Sequence, residues 1–360
     1  MPDLQKLLDK KQHKHQLQAT MEKTSPDNNP KHPSLIKTTP GFHFRPPPPP
    51  HNLTTFITPD TSLFQTIHMG AAIIDHNLWR LEIHGLVSHP YTLSLTELKA
   101  LPSTKITAFH ECYGSPLKPP TEFVRRVGNV TWTGVQLAKL LAMAEPLPEA
   151  DFIWSDGLDS GTFASVEADR YQKDLPLSKA FQDEVLVAYE INGQPLDVRR
   201  GGPVRLVVPG WFGTNSVKWL CSLAARKGRS PGPFTTTFYN ELVPGDESGK
   251  MRPVWEVEPS SMIVSPEPDV VVRGPEVRVW GWAWSGDGVE RVEVDVDEAG
   301  GWVPASVIPR KEFEWQRFEV TLRLPEGQHT ISARASSCQG HQQPLRGRRN
   351  QVHRLAFQVF

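Results

Sequence analysis

Cys112 is the residue of this chain best placed to bind a metal ion. It lies in the segment AFHECYGSP, where a predicted buried strand over residues 105–110 leads into a turn-rich loop. The ends of strands and the loops after them are common positions for reactive groups, and a thiolate is a soft ligand for metals. The alternative for any lone cysteine is a small buried apolar side chain. The polar neighbours His110 and Glu111 favour the metal-binding interpretation.

A second candidate is the segment RRGGPVRLVVPGWFGTNSVK, which contains Arg205 inside an otherwise apolar strand. A buried guanidinium is costly unless an anion or a carboxylate pairs with it. Gly201 and Gly202 allow a ligand to approach the backbone closely, and Ser216 and Lys218 add hydrogen-bond donors. These residues predict a cradle for a phosphate-bearing cofactor. An internal salt bridge of Arg205 is the open alternative.

Two further candidates involve Asp159 and His68. Asp159 belongs to the turn DGLDSG, whose carboxylates can accept hydrogen bonds from N–H donors. A solvated turn is the alternative there. His68 and Thr66 occur in LFQTIHMG, where an isolated histidine is also typical of a purely structural residue.

Periodic patterns predict the elements that position these residues. Ser94 and Thr133 each begin a capping-box pattern, which predicts two helices, one ending before Pro102 and one running through Met143. We expect Val135, Leu137, Leu140 and Leu141 to face inward on the second helix. Further strands are predicted over residues 78–87, 184–190 and 203–209.

The last third of the chain has short strand patterns at regular spacing. Gly and Pro turns separate most of them, which is typical of an immunoglobulin-like β-sandwich. A proline-rich stretch over residues 253–268 predicts the linker before it. The predicted strands cover residues 276–284, 289–296, 302–308, 317–324, 330–335 and 352–359.

Composition limits the possible classes of protein. The 360 residues carry 39 Lys and Arg against 40 Asp and Glu, so no generally basic surface points to nucleic acid or anionic lipid. No stretch has the ~18–20 apolar residues of a membrane helix. The three cysteines Cys112, Cys221 and Cys338 are far apart, which favours a reducing compartment. We expect an intracellular protein, cytoplasmic or mitochondrial. Residues 1–60 are proline-rich and poor in apolar residues, which predicts a disordered tail.

Several of these segments, in this order, resemble the sulfite oxidase family of molybdenum enzymes. The resemblance rests on HECYGSP, RRVGNVTWTGVQLAKLL, GLD, AYEINGQPL, GGPVRLVVPGWFGTNSVKWL and VWGWAWSGDGVERVEV, and covers roughly residues 60–360. It implies an α+β fold, with a mixed α/β molybdopterin-binding domain over residues 61–250 and an immunoglobulin-like dimerisation domain over residues 251–360. It also implies a molybdenum-molybdopterin cofactor and a homodimer.

The resemblance assigns roles to individual residues. It implies that Cys112 ligates molybdenum, a coherent choice because a soft thiolate suits such a centre and leaves other positions open for substrate. Tyr239 is similar in placement to a tyrosine near the substrate pocket. The residues implied in pterin binding are Gln65, Thr66, His68, Cys112, Asp159, Arg200, Arg205, Ser216, Val217 and Lys218.

The chain also departs from the family pattern. Arg200 replaces a pterin-binding histidine, which keeps a donor and adds a positive charge. Ile67 and Val289 fall where the family places arginines that contact sulfite. Losing both charges would weaken binding of a dianion by several orders of magnitude, unless other arginines compensate. The candidates are Arg125, Arg126, Arg200 and Arg252.

Two functions follow from this pattern. The first is an oxidoreductase that transfers an oxygen atom to sulfite or a related small substrate. We expect no haem, because no segment of the chain resembles a cytochrome b5-like haem domain, and we expect electrons to pass to an external acceptor or to oxygen. The second is a non-catalytic dimeric binding protein that keeps the fold without sulfite turnover.

Overall fold

The computed structural model of the chain describes residues 32–115, 125–243 and 245–360. Its folded unit comprises Ser34–Phe360. The first 31 residues of the predicted tail lie outside the described residues. None of the helices in the described ranges is long and apolar enough to cross a lipid bilayer.

Residues 34–60 belong to the folded unit, so the prediction of a disordered tail up to residue 60 is wrong for this part. Strand β1 (Leu35–Thr38) pairs antiparallel with β4 (Ala72–Ile74), and β2 (His43–Arg45) pairs with β3 (Gln65–Ile67). Leu53 is only 3% exposed. Backbone pairing orders this stretch although its side chains lack an apolar period.

Two sheets form the part of the chain that contains Cys112, one mixed and one purely antiparallel. One has the order β12-β9-β16-β5-β6, and the other has the order β14-β13-β8-β7 with β15 also paired to β13. Their strands are β5 (Arg80–Gly85), β6 (Tyr91–Ser94), β7 (Thr104–Glu111), β8 (Val127–Gln136), β9 (Phe152–Gly157), β12 (Gln172–Pro176), β13 (Leu186–Ile191), β14 (Gln194–Pro195), β15 (Arg205–Val207) and β16 (Leu220–Arg226). Two short hairpins complete this part, formed by β10 (Gly161–Phe163) with β11 (Val166–Ala168) and by β17 (Asn240–Leu242) with β18 (Met251–Pro253).

The first predicted helix is confirmed and the start of the second is wrong. Ser94 caps α1 (Leu95–Ala100) with a complete capping box. Helix α2 (Leu137–Ala144) begins four residues after Thr133, because Thr133 still belongs to β8, which pairs with β13 through Gln136. Tertiary pairing therefore overrides the local capping pattern. Leu137, Leu140 and Leu141 face inward as expected.

The remaining helical segments are single turns that connect strands. Two of them place residues of the site described below. They are α3 (Leu177–Ala180), α4 (Pro233–Thr236), and the 3₁₀ turns Pro50–Asn52, Val198–Arg200 and Gly213–Asn215.

The C-terminal part is a two-layered sandwich, as expected. The order β19-β21-β24-β23-β22-β25-β26-β20 is continuous because β23 pairs with a strand of each layer. Its strands are β19 (Ser260–Ser265), β20 (Val271–Val272), β21 (Glu276–Trp284), β22 (Val289–Val296), β23 (Val303–Val307), β24 (Gln316–Arg323), β25 (Gly327–Ser337) and β26 (Arg354–Val359). The stretch predicted as a linker instead supplies β19, whose residues are mostly buried against β21.

The sandwich packs directly on the rest of the folded unit. The indole of Trp284 donates to Glu111 at 2.8 Å, one residue before Cys112. Trp282 and Trp315 stack at 4.7 Å, and the indole of Trp282 donates to the carbonyl of Leu53. The boundary between the two domains that we predict at residue 250 stays a prediction. Residue 250 lies within the hairpin of β17 and β18.

Candidate functional site

Cys112 directly follows β7 and is held in a tight turn. Its N–H donates to the carbonyl of Arg126 at 2.9 Å, and its own carbonyl accepts from the N–H of Ser115 at 3.0 Å. The Ser115 hydroxyl accepts from the N–H of Arg126 at 2.8 Å. The sulfur lies 3.8 Å from the hydroxyl of Thr66. The backbone thus fixes the thiol at one end of the sheet.

The Cys112 thiol lines a cavity between these segments. Every predicted site residue except Val217 lines it, so the structure brings together segments that are far apart in the chain. The lining residues are Leu63, Phe64, Gln65, Thr66, Ile67, His68, His110, Cys112, Tyr113, Trp132, Asp159, Tyr171, Arg200, Arg205, Gly213, Thr214, Ser216, Lys218, Trp219 and Tyr239.

Arg205, which is buried, and Lys218, which is half-buried, form a cationic wall of the cavity. Arg205 is 2% exposed and donates to the carbonyls of Arg200 and Ser216, both at 3.0 Å. No carboxylate of the described residues pairs with Arg205, so the internal salt bridge is not found there. The ammonium of Lys218 donates to the carbonyl of Thr66. Burial, with the nearby Arg200, lowers the pKa of Arg205 to about 9.

Asp159 is the buried carboxylate of the same cavity. It is 3% exposed, and its Oδ1 has no hydrogen-bond partner. Burial raises the pKa of Asp159 although Lys218 opposes the shift, and burial also lowers the pKa of Lys218. A Cβ atom on Gly157 would lie 2.6 Å from Asp159 Oδ1. Gly157 therefore leaves space beside this carboxylate, and a ligand N–H group could donate to Oδ1.

Arg200 lines the cavity but already has several protein partners. Its guanidinium pairs with Asp60 at 2.5 Å and donates to the carbonyls of Leu63 and Phe64. Asp197 caps the 3₁₀ turn that carries it. Arg200 thus fastens the segment before β3, which brings Gln65, Thr66 and His68 to the cavity.

His68 and Tyr239 form a hydrogen-bonded pair across the cavity. Burial and the charges of Lys218 and Arg126 lower the pKa of His68 to about 3, so the imidazole is neutral. Burial also raises the pKa of Tyr239, so its phenol keeps its proton. Tyr239 has a φ of 55°, in the left-handed region that non-glycine residues rarely adopt. Such strain is typical of functional sites.

Ser216 and Val217 form hydrogen bonds that hold the neighbouring segment 206–208 in place. The Ser216 hydroxyl accepts from the N–H of Val208 at 3.1 Å. Val217 is fully buried, and its carbonyl accepts from the N–H of Leu206 at 2.8 Å. Val217 is therefore the one predicted residue that does not line the cavity with the others.

Some lining residues were not predicted from the sequence. Tyr171 stacks on His68 at 5.3 Å and hydrogen-bonds to Thr214 at 2.8 Å. Thr214 lies within the string PGWFGTNSVK, so the motif already contained a signal for it. Tyr171 is in DRYQKD, which has no recognisable pattern. His110 was noted only as a polar neighbour of Cys112, and it stacks on Phe64 at 5.5 Å.

Neither Ile67 nor Val289 supplies a charge to the cavity. Ile67 is 2% exposed and lines it with an apolar side chain. Val289 is 4% exposed and packs in the core of the sandwich with residues such as Val292 and Phe318.

The residues of the cavity fit an anionic cofactor with N–H donors. Arg205 and Lys218 suit a phosphate, and the unpartnered Oδ1 of Asp159 suits a ring N–H. Cys112 offers a soft sulfur ligand at the same cavity. The described ranges contain no group of three or more His, Cys, Asp or Glu that could hold a metal ion by themselves.

Two family models match the chain. The oxidoreductase molybdopterin-binding domain matches residues 68–234. The Mo-co oxidoreductase dimerisation domain matches residues 251–356. Together they include Cys112 and all but three of the predicted site residues. Gln65 and Thr66 precede the first matched range, and Tyr239 lies between the two.

Curated relatives and a solved structure agree with these matches. The chain is 31% identical over 342 residues to mitochondrial sulfite oxidase of Homo sapiens, covering 87% of this chain and 62% of that protein. It is 29% identical to sulfite oxidase of Arabidopsis thaliana, covering 86% of this chain and 88% of the plant protein. The crystal structure of the sulfane dehydrogenase SoxCD from Paracoccus pantotrophus superimposes with a TM-score of 0.76 at 27% identity, covering 94% of this chain and 93% of that one.

Proposed function

Because the chain belongs to the sulfite oxidase family of molybdopterin-dependent oxidoreductases, we propose that it transfers an oxygen atom to sulfite or a related small substrate, with Cys112 as a ligand of molybdenum. The observation that carries this proposal is the position of the Cys112 thiol. It faces the same cavity as the buried residues Arg205 and Asp159 and the half-buried Lys218. When bound, molybdenum-molybdopterin supplies the redox centre and the soft-ligand metal site.

We assign the binding of the cofactor to the walls of this cavity. Arg205 and Lys218 would pair with its phosphate, and Asp159 would accept from its ring N–H groups. An anion beside Lys218 stabilises the charged ammonium, which burial alone disfavours. Thr66, Gln65 and the other predicted residues would complete the lining.

Tyr239 would contact the substrate, and His68 would position Tyr239. The protonated phenol of Tyr239 can donate to a substrate oxygen, and the neutral His68 imidazole orients that phenol through their hydrogen bond. The ring of Tyr113 lies 6.2 Å from that of Tyr239 and helps to exclude water from the same space. Electrons would pass to an external acceptor.

Metal analysis of the purified chain from molybdenum-cofactor-competent cells tests the proposal. We expect stoichiometric molybdenum in the natural chain and sulfite oxidation with ferricyanide or oxygen as acceptor. Cys112→Ser should abolish turnover and leave the circular dichroism spectrum unchanged. A molybdenum-free natural chain from such cells contradicts the cofactor assignment.

The alternative is a non-catalytic dimeric binding protein. The apolar Ile67 in the cavity and Val289 in the sandwich core favour it, because neither provides the charge that a sulfite dianion needs. Sulfite turnover by the molybdenum-loaded chain would exclude this alternative. Molybdenum content without turnover of sulfite or another sulfur oxyanion would support it.

We also propose a homodimer formed through the C-terminal sandwich. The match of residues 251–356 to a dimerisation domain supports it. Light scattering during size-exclusion chromatography should give twice the mass of the 40.4 kDa chain. A monomer at micromolar concentration would contradict this proposal.

A further inference from the structure

Two of the arginines that could compensate for Ile67 and Val289 are already paired with carboxylates. Arg200 pairs with Asp60 at 2.5 Å. Arg252 pairs with Glu241, and with Glu258 at 3.0 Å. Its side chain is also 41% exposed. Neither guanidinium needs another anion to satisfy its charge.

Arg125 is engaged in a different way. It is 1% exposed and donates to the carbonyls of Arg349 and Gln351 at 3.2 and 3.0 Å. The negative charge of Glu111 also favours the charged form of Arg125, although burial lowers its pKa to about 10. Arg125 therefore helps to join the segment before β8 to the loop of the sandwich that contains Arg349 and Gln351.

Arg126 remains, and its guanidinium is turned toward the sulfur of Cys112. Its Nη1 lies 3.7 Å from Cys112 Sγ. The side chain is 94% buried and stacks on the ring of Phe44 at 4.2 Å, while Nε has no hydrogen-bond partner. No carboxylate within the described ranges forms an ion pair with it. A Cβ on Gly114 would lie 3.2 Å from Nη1, so the glycine leaves room for this guanidinium beside the thiol.

The backbone holds Arg126 in register with Cys112. The carbonyl of Arg126 accepts from the N–H of Cys112, and its N–H donates to the fully buried Ser115. The charge also acts on the cavity, because Arg126 is one of the two cations that lower the pKa of His68. The guanidinium is therefore near both the thiol and the His68–Tyr239 pair.

We propose that Arg126 binds the negative charge of the substrate beside Cys112, so that the substrate is a small oxyanion. A guanidinium has five N–H donors in a planar fork, which suits two oxygens of an oxyanion after one donor has contacted the sulfur. This inference rests on the proposed function and identifies the cation that replaces the charges absent at positions 67 and 289. Burying Arg126 without any anion would be unfavourable.

Sulfate binding to the molybdenum-loaded full chain tests this role without requiring turnover. We expect the natural chain to bind sulfate in a calorimetric titration, and Arg126→Met to weaken that binding by about 10- to 100-fold. With sulfite as substrate, Arg126→Met should raise KM by a similar factor while kcat changes much less. Arg126→Lys keeps the charge without the planar fork, so its effect should be intermediate.

Arg252→Met is the matched control, because it removes an arginine that two glutamates already pair. Its sulfate affinity should equal that of the natural chain. Equal sulfate affinity in Arg126→Met and the natural chain would overturn the proposal, and so would a loss of molybdenum without a change in sulfate affinity. If Arg126→Met does not fold, the calorimetric comparison of Arg126→Lys with Arg252→Met decides. Arg126-dependent sulfate binding without sulfite turnover would count against the proposed reaction alone.

Discussion

The guanidinium of Arg349 lies 3.3 Å from the carboxylate of Glu111, the residue that precedes Cys112. The side chain of Glu111 is 1% exposed and that of Arg349 is 17% exposed. Arg349 also donates to the carbonyl of Ser115 at 2.8 Å. A loop of the sandwich thus contacts both ends of the turn that holds the thiol.

Arg349→Met should destabilise the fold by about 3 kcal/mol, since removing one partner of a buried ion pair leaves the other charge uncompensated. Burial already raises the pKa of Glu111, and Arg349 opposes that shift. Without Arg349 the carboxyl should take up a proton more readily. Urea denaturation gives the free energy of unfolding. Arg346→Met is the control, because Arg346 is 76% exposed in its pair with Glu298 and should change that free energy by less than ~0.5 kcal/mol. Equal stability of the two variants would contradict the prediction.

The strands of the sandwich were predictable because their signals are local. Alternating apolar residues and Gly or Pro turns identified β21 and β22 with the same bounds as the structure. The capping box at Ser94 was equally local, and it formed. The same pattern at Thr133 failed because β8 continues through Gln136 by pairing with a strand that lies 50 residues later in the chain.

The contacts of the candidate site needed the structure wherever they depend on register between distant segments. The strings around Cys112 and Lys218 identified most of the cavity wall. Arg126 reaches the thiol only because β7 pairs with β8 and places His110 opposite Gly128. Sequence alone offered four arginines and no means of choosing among them.

The proposed role of the Tyr239 phenol as a donor to the substrate predicts that Tyr239→Phe lowers kcat/KM by about 10-fold or more, since this phenol hydrogen-bonds to His68. The loss of one buried hydrogen bond should cost about 1 kcal/mol of stability. Steady-state kinetics and urea denaturation measure the two effects. Tyr91→Phe is the control, because it removes a phenol that donates to the carbonyl of Leu140 at 2.8 Å, away from the cavity. A Tyr239→Phe enzyme with unchanged kcat/KM would contradict the assigned role.

The stability of the sandwich should fall slightly as the pH rises above neutrality. His329 Nδ1 lies 2.8 Å from Asp297 Oδ2, and Nε2 lies 2.9 Å from the carbonyl oxygen of Pro325. Two acceptors favour the doubly protonated imidazole. Burial opposes that charge, but these partners prevail and raise the pKa of His329.

A histidine whose folded pKa is raised stabilises the fold fully below its unfolded pKa of about 6.5, and this contribution is lost as the pH rises through the folded pKa. Asp297 is 47% exposed, so solvent limits the effect to about 0.5–1 kcal/mol. Urea denaturation from pH 6 to pH 8.5 measures it. His329→Gln should remove this slope, and a slope that persists in the variant would assign it to another group.

Gly157→Ala should empty the cavity of cofactor, because an added Cβ would lie 2.6 Å from both Asp159 Oδ1 and the carbonyl oxygen of Lys218. Either the Asp159 carboxylate or the backbone at Lys218 must move. Both Asp159 and Lys218 belong to the proposed cofactor site. We expect the molybdenum content to fall at least ~10-fold, because positional errors of this size in a binding site are poorly tolerated. Gly301→Ala is the matched control, since a Cβ there meets no atom within 4 Å. Molybdenum analysis and circular dichroism of both variants separate loss of cofactor from loss of fold. Full molybdenum content in Gly157→Ala would mean that Asp159 is not part of the cofactor site.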